Sequence, residues 1–270
     1  WRATLVGAGV LLWCTVIPLA MLIRDSPESQ GYLPDGDIPE ASDRAEDYEN
    51  SLPAQRIATG QQEYTTGQAL QSRSFWIAST LLGILFFGTS GIQVHQVPYF
   101  ESVGFSTTEA AATVSLVFAL SGVGRIGAGY LADYMDIRYI LAGMVGCHII
   151  AWTYLAIVDV DTLWGAIPFT IIFGIPFGAM VSIRPVLLAQ LFGTRSLGSL
   201  SGMLQATSLA SGTVGPVMMG WIFDIQGEYD LAIKIFIVST ALAMPLAFMV
   251  KPPLGHDVEV AGKANARDRA

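Results

Sequence analysis

LWGAIPFTIIFGIPFGAMVSI, residues 163–183, runs for about 20 residues without one charged side chain. A helix of that length, at about 1.5 Å per residue, covers the ~30 Å hydrocarbon core of a bilayer. Residues 3–23, 75–99, 107–131, 139–158, 199–222 and 230–250 read the same way. A soluble chain could not hide seven such helices in one core, so lipid is the solvent for most of this protein. Composition agrees: 52% of the 270 residues are hydrophobic and 13% are charged, against about 25% charged in soluble domains. The expected fold class is an all-α membrane protein with seven transmembrane helices.

The net charge of −8 is concentrated in one place. Residues 24–74 hold about half of the acidic side chains, among them Asp25, Asp35, Glu46 and Glu63, and have few bulky apolar residues. That segment reads as a solvated, disordered linker, with a docking site for a partner as the alternative. The acidity predicts no nucleic-acid partner. Arg24, Arg44, Arg56 and Arg73 lie in this linker, Arg138 follows the third span, Arg195 follows the fifth, and Lys251, Lys263, Arg267 and Arg269 lie in the tail. The loops near 100–106, 159–162 and 223–229 hold no Lys or Arg. Positive loops stay cytoplasmic. The N-terminus is therefore expected outside, with the linker and the 251–270 tail in the cytoplasm. A chain that starts outside at Trp1 without an initiator Met looks truncated. Cys14 and Cys147 fall inside spans and read as free thiols.

Connections within 75–250 are short. Residues 64–73 contain helix formers and are expected to form a short helix on the membrane surface. Ser106-Thr-Thr-Glu109 is a capping box opening the third span. Small residues recur at four-residue spacing: Gly174 and Gly178; Gly124, Ala128 and Ala132; Ser211 and Gly215, then Pro216 and Gly220. Such stripes let helix backbones approach closely where lipid provides no hydrophobic drive for association. Pro168, Pro176, Pro185, Pro216 and Pro245 remove backbone hydrogen bonds and kink helices. Kinked, glycine-lined helices suit a protein that rocks between two shapes, and they also occur in static bundles.

Gly122-Val-Gly124-Arg-Ile-Gly127 matches the dinucleotide pattern G-x-G-x-x-G, but no strand precedes it and it lies within a span, so nucleotide binding is rejected. No Cys/His metal cluster, Walker loop or catalytic triad spacing is present, and no cofactor, metal or enzymatic activity is expected. The longer run Gly124-Arg-Ile-Gly-Ala-Gly129-Tyr-Leu-Ala-Asp133-Tyr-Met-Asp136-Ile-Arg138 resembles the loop signature of the major facilitator superfamily, G-x-x-x-D-[RK]-x-G-[RK]-[RK]. Gly129, Asp133 and Arg138 match; Tyr134 and Asp136 depart from it. The segments around Arg24–Gly36, Leu191–Gly198 and Gly215–Asp230 resemble other loops of the same superfamily.

On that resemblance the chain is helices six to twelve of a twelve-helix transporter. Residues 1–23 would belong to the absent N-terminal half, 24–74 would be the central linker, and 75–250 the six-helix C-terminal half. Gly91-Ile-Gln93-Val-His95-Gln-Val-Pro98-Tyr99 and the Arg125 segment are most similar to the monocarboxylate and oxalate–formate exchanger branch. The resemblance implies alternating access for a small solute, an organic anion, with Arg125, His95 and Tyr99 as candidate substrate contacts. Gly129, Asp133 and Arg138 would form a gating loop, and Gly174, Gly178, Gly215 and Pro216 would pack helices. In monocarboxylate carriers an arginine at the place of Arg125 binds the substrate carboxylate, a task that suits the planar fork of a guanidinium. The alternative for Arg125 is snorkelling or pairing with the motif loop. Arg184 reads as an anchor at a span end, His95 as an interfacial hydrogen-bonded residue, His148 as packing, and Trp76, Trp164 and Trp221 as interface anchors. A membrane receptor or sensor of the same fold is the rival function.

Overall fold

A computed structural model describes residues 2–22, 63–158 and 162–251. Most of the acidic linker and nearly all of the tail lie outside the described residues. Contacts divide the chain into residues 1–62 and 63–270. The first unit contributes α1 (Arg2–Leu22), which contains Pro18 and in which Thr15 Oγ1 donates to Leu11 O at 2.8 Å.

The second unit contains α2 (Thr66–Gln71), α3 (Arg73–Ser102), α4 (Thr107–Tyr134), α5 (Ile137–Ile157), α6 (Leu163–Phe192), α7 (Leu197–Gln226) and α8 (Asp230–Met249). Among the described residues there is no strand. Six helices, α1, α3, α4, α5, α6 and α8, are long and apolar enough to cross a membrane. α7 has the length, 30 residues, but Ser199, Ser201, Gln205, Thr207, Ser208, Ser211 and Thr213 make it more polar than the others. It packs against α3, where Thr207 shares a hydrogen bond with Ser79, while Ser208, Ser211 and Thr213 donate to carbonyls of α7 itself. The protein is an integral, multi-pass, all-α membrane protein.

Turn chemistry sets the helix ends. Ser106 and Glu109 form the capping box at the start of α4, with Ser106 N–H donating to Glu109 Oε2 at 3.0 Å. Gly193 (φ 78°) and Gly227 (φ 74°) stop α6 and α7 in the left-handed region that glycine reaches without strain. α6 differs from expectation. It continues through Pro185 and ends at Phe192 rather than at Ile183, because neighbouring helices in a membrane bundle compensate the hydrogen bond that proline removes.

The short helix α2 also differs. Tyr64 and Ala69 are buried, Tyr64 N–H donates to Phe192 O at 3.0 Å, and Ser196 Oγ donates to Tyr64 O at 3.0 Å. The segment is therefore fastened to the end of α6 and the start of α7, not merely laid on a surface.

The main pairings are α4 with α6, α3 with α7, and α5 with α8, and α3 also touches α8 and α4. Two apolar clusters occupy opposite ends. One joins Phe75, Leu141, Leu187, Phe192 and Leu200 near the 135–136 and 193–196 connections. The other joins Phe100, Trp152, Phe169, Phe173 and Phe236 toward the 103–106 and 227–229 connections. Between them, each of five helices carries a buried polar residue: Thr89 on α3, Ser121 on α4, His148 on α5, Ser208 on α7 and Thr240 on α8.

Candidate functional site

The layer between the apolar ends holds Thr89, Ser121, His148, Ser208 and Thr240 buried. Most of its hydroxyls are internally satisfied: Ser121 Oγ donates to Phe118 O at 2.7 Å and Ser208 Oγ to Leu204 O at 2.8 Å. His148 Nδ1 lies 2.8 Å from Met144 O, with its ring against Trp152 and Phe173.

Arg125 is different. It follows Gly124, whose backbone sits so close to Ile175 and Ala179 of α6 that a Cβ would collide with them. Arg125 is exposed, and among the described residues no carboxylate pairs with it. It is nine residues from the end of α4, about 14 Å inside at helical rise. An arginine at such depth is costly, and it marks a polar cavity or an anionic partner by default.

His95 and Tyr99 come together at the other end, through Tyr229. His95 Nδ1 is 3.3 Å from the Tyr229 hydroxyl, and the Tyr99 and Tyr229 rings meet edge-on at 5.8 Å. His95 Nε2 lies 3.1 Å from Pro216 O. A carbonyl only accepts, so Nε2 donates and Nδ1 accepts from Tyr229; the tautomer is assigned from the network. Tyr99 is buried, and its hydroxyl donates to Leu155 O at 3.4 Å. Counted along the helices, His95 lies about 20 Å from the depth of Arg125, so the three candidates do not form one small pocket.

The motif loop also divides. Arg138 bonds Asp136, with Nη2 to Oδ2 at 2.7 Å and Nε to Oδ1 at 3.0 Å. Its side-chain and backbone donors hold the Asp136 carboxyl below the usual carboxylate range. Asp133 is exposed and has no partner among the described residues, and the space beside Gly129 is open. Gly174 lies against Val117 and Leu120, Gly178 against the Ser121 backbone, and Gly215 against Phe87 O. Trp76, Trp164 and Trp221 are all exposed on the perimeter.

Sequence reasoning undervalued Arg184. The helix end expected at Ile183 made it an anchor, but α6 runs eight residues beyond it, so Arg184 lies about 12 Å inside the bundle. Its Nη1 donates to Gln205 Oε1 of α7 at 2.6 Å, and its guanidinium carbon is 5.3 Å from the centre of the Phe86 ring of α3. Its Nε is buried without a partner. Gln205, the one amide among the small hydroxyls of residues 199–213 in α7, was the available signal.

Comparison with known proteins places this arrangement in context. The model of the Major Facilitator Superfamily matches residues 1–216. Monocarboxylate transporter 12 of Mus musculus is 33% identical over 180 residues, covering 64% of this chain and 35% of that protein. An MFS-type transporter of Gibberella moniliformis is 32% identical over 165 residues, covering 57% of this chain and 37% of that protein. Monocarboxylate transporter 7 of Homo sapiens is 26% identical over 188 residues, 68% of this chain and 35% of that protein. The chain thus spans about a third of the length of the curated relatives it matches. A family model that matches most of the chain, on a bundle whose helices pair as described, has one consequence: this chain belongs to the Major Facilitator Superfamily.

Proposed function

We propose that the protein containing this chain is a secondary transporter of a small organic anion, working by alternating access, with Arg125 holding the substrate's carboxylate. The guanidinium of Arg125, well inside α4 and without an acidic partner among the described residues, carries the reading. The relatives' description as monocarboxylate transporters supports the carboxylate as its counter-ion. In this reading residues 75–250 form one six-helix half and 1–23 a helix of the other. The absent half of the same protein completes the cavity onto which Arg125 opens. Residues 24–74 form a cytoplasmic linker and 251–270 a cytoplasmic tail. The two halves rock about a midplane site. His95 and Tyr99, too far from Arg125 for one small anion to touch all three, line the approach from outside. Gly129, Asp133 and Arg138 belong to the gating loop at the opposite end.

The test is substrate affinity of purified, monodisperse full-length protein. Arg125→Lys keeps the charge and loses the bidentate fork, so affinity should fall about tenfold or more; Arg125→Ala should lower it further, about a hundredfold. Unchanged affinity in both ends the substrate role. Orientation is checked in intact cells with an impermeant thiol reagent: Ser106→Cys should label from outside and Thr194→Cys should not. The reverse pattern overturns the topology.

A further inference from the structure

Residues 63–72 lead into α3, and Tyr64 is the centre of their attachment. Its N–H donates to Phe192 O at 3.0 Å, its ring meets the Phe192 ring edge-on at 5.9 Å, and it is only 4% exposed. Ser196 Oγ donates to Tyr64 O at 3.0 Å, and at the rim Thr194 Oγ1 donates to Glu63 Oε1 at 3.4 Å. The rest of the segment is weakly self-supporting. α2 has six residues, about half of what an isolated helix needs in water. Its Thr65–Gln68 capping box closes one end, Ala69 is its buried residue, and Trp76 Nε1 of α3 donates to Leu70 O at 2.8 Å. The end of α6 and the start of α7 are therefore the main seat of this segment.

Ser196 is also the N-cap of α7. A serine there normally turns its oxygen inward to accept from an amide of the first turn, which has no carbonyl partner within the helix. Thr65, Ser72, Ser106 and Thr162, N-caps of other helices, each accept from the amide three residues on. Ser196 does not. At φ −111° and ψ 16° it makes no side-chain cap bond to α7, and its hydroxyl donates to Tyr64 O instead. With Tyr64 gone, a turn of the Ser196 backbone to the extended region lets Oγ accept from Ser199 N–H. Docked and released states then each give Ser196 one hydrogen bond, which narrows the gap between them.

We infer that residues 63–72 are a detachable strap across the α6–α7 connection, with Ser196 as its switch: a donor to Tyr64 O when the strap is docked, and the acceptor that caps α7 when it is released. The strap is the last stretch of chain between the acidic linker and α3, so whatever displaces the linker bears on the ends of α6 and α7 through this seat. The inference goes beyond the transport reading and makes no use of Arg125, so either can fail without the other.

The experiment is amide hydrogen exchange on the purified full-length protein at neutral pH, read at Tyr64 to Ser72 and at Gly198 and Ser199. Ser196→Ala removes the bond to Tyr64 O and provides no cap, so the strap amides should exchange about fivefold faster. Ser196→Asp cannot donate to a carbonyl once ionised, but it is a strong N-cap and places a negative charge at a helix start. Its strap amides should exchange about twentyfold faster, while Gly198 and Ser199 exchange more slowly than in the wild type. Strap amides that keep the wild-type rate in both variants overturn the proposal. So does Ser196→Asp loosening the strap and the first turn of α7 together, the result expected if Ser196 only fills a packing site. Tyr64→Ala keeps Ser196 and covers the case in which the Ser196 variants do not fold. It should free the strap and slow exchange at Ser199, and an unchanged or faster Ser199 amide there overturns the switch.

Discussion

The α4–α6 and α3–α7 pairs share a packing device and differ in what they do with polarity. Both seams use glycine to bring backbones together: Gly178 onto Ser121 in one, Gly215 onto Phe87 in the other. In α3–α7 the polar groups are consumed internally. Pro216 lacks an N–H, so Gly212 O loses its helical donor, and Ser90 Oγ of α3 supplies one at 2.6 Å. Ser79 and Thr207 share a hydrogen bond at 2.6 Å, and His95 reaches Pro216 O. The α4–α6 seam is lined by small and apolar residues, and Arg125 and Arg184 have no acidic partner among the described residues. The two seams thus differ in where their polar side chains find partners among the described residues.

The largest stability effect should come from the device the pairs share. Gly178→Ala and Gly215→Ala each place a Cβ against the partner's backbone, which cannot rotate away. Each should cost about 1–3 kcal/mol by overpacking, read as a lowered thermal midpoint of the detergent-solubilised full-length protein. Gly83→Ala is the control, because its Cβ meets Ser211 Oγ, a side chain that can turn. If all three behave alike, backbone proximity is not what the glycines provide.

The next effect separates the pairs. Ser90→Ala leaves Gly212 O without its donor and should cost about 0.6–1.7 kcal/mol, the span measured for hydrogen bonds between membrane helices. Ser121→Ala in the other seam removes only a bond to its own helix, Ser121 Oγ to Phe118 O, and should cost less than about 0.5 kcal/mol. Equal losses at the two serines would erase the contrast.

Most of the bundle was legible because the bilayer imposes one length on every crossing element. The run at 163–183 and its six counterparts state that length without reference to packing. What faces what was far less legible. A surface residue and a core residue are equally apolar here: Ile126 is 78% exposed and Ile92 fully buried. The small-residue stripes were the better guide, since Gly174 and Gly178 mark a seam by shape. Arg184 escaped because Pro185 follows it and proline usually ends a soluble helix. The His95–Tyr229 contact escaped because it joins residues far apart in sequence with no local signature. The Arg138–Asp136 pair was not read from the sequence: the family pattern singles out Asp133, whereas the N-cap Asp136 lies two residues from Arg138 and needs only the first turn of α5 to reach it.

That last contact yields the smallest predicted effect and a check that acid acts outside both seams. Asp136 is exposed, and the Arg138 donors depress its carboxyl. A depressed carboxyl contributes stability above its ordinary titration range, near pH 4, and loses that contribution as pH falls through the lower folded value. The thermal midpoint of the wild type should therefore drop slightly as pH falls below about 4 relative to Asp136→Asn, which has no proton to take up there. An exposed ion pair contributes little because water and salt screen it, so the difference should be no more than about 1–2 °C and should shrink in high salt. The Ser90 and Gly178 variants should show the same acid drop as the wild type, since their lost contacts contain no carboxyl. A drop that vanishes in Gly178→Ala would tie the loop to the α4–α6 seam and break the separation between them.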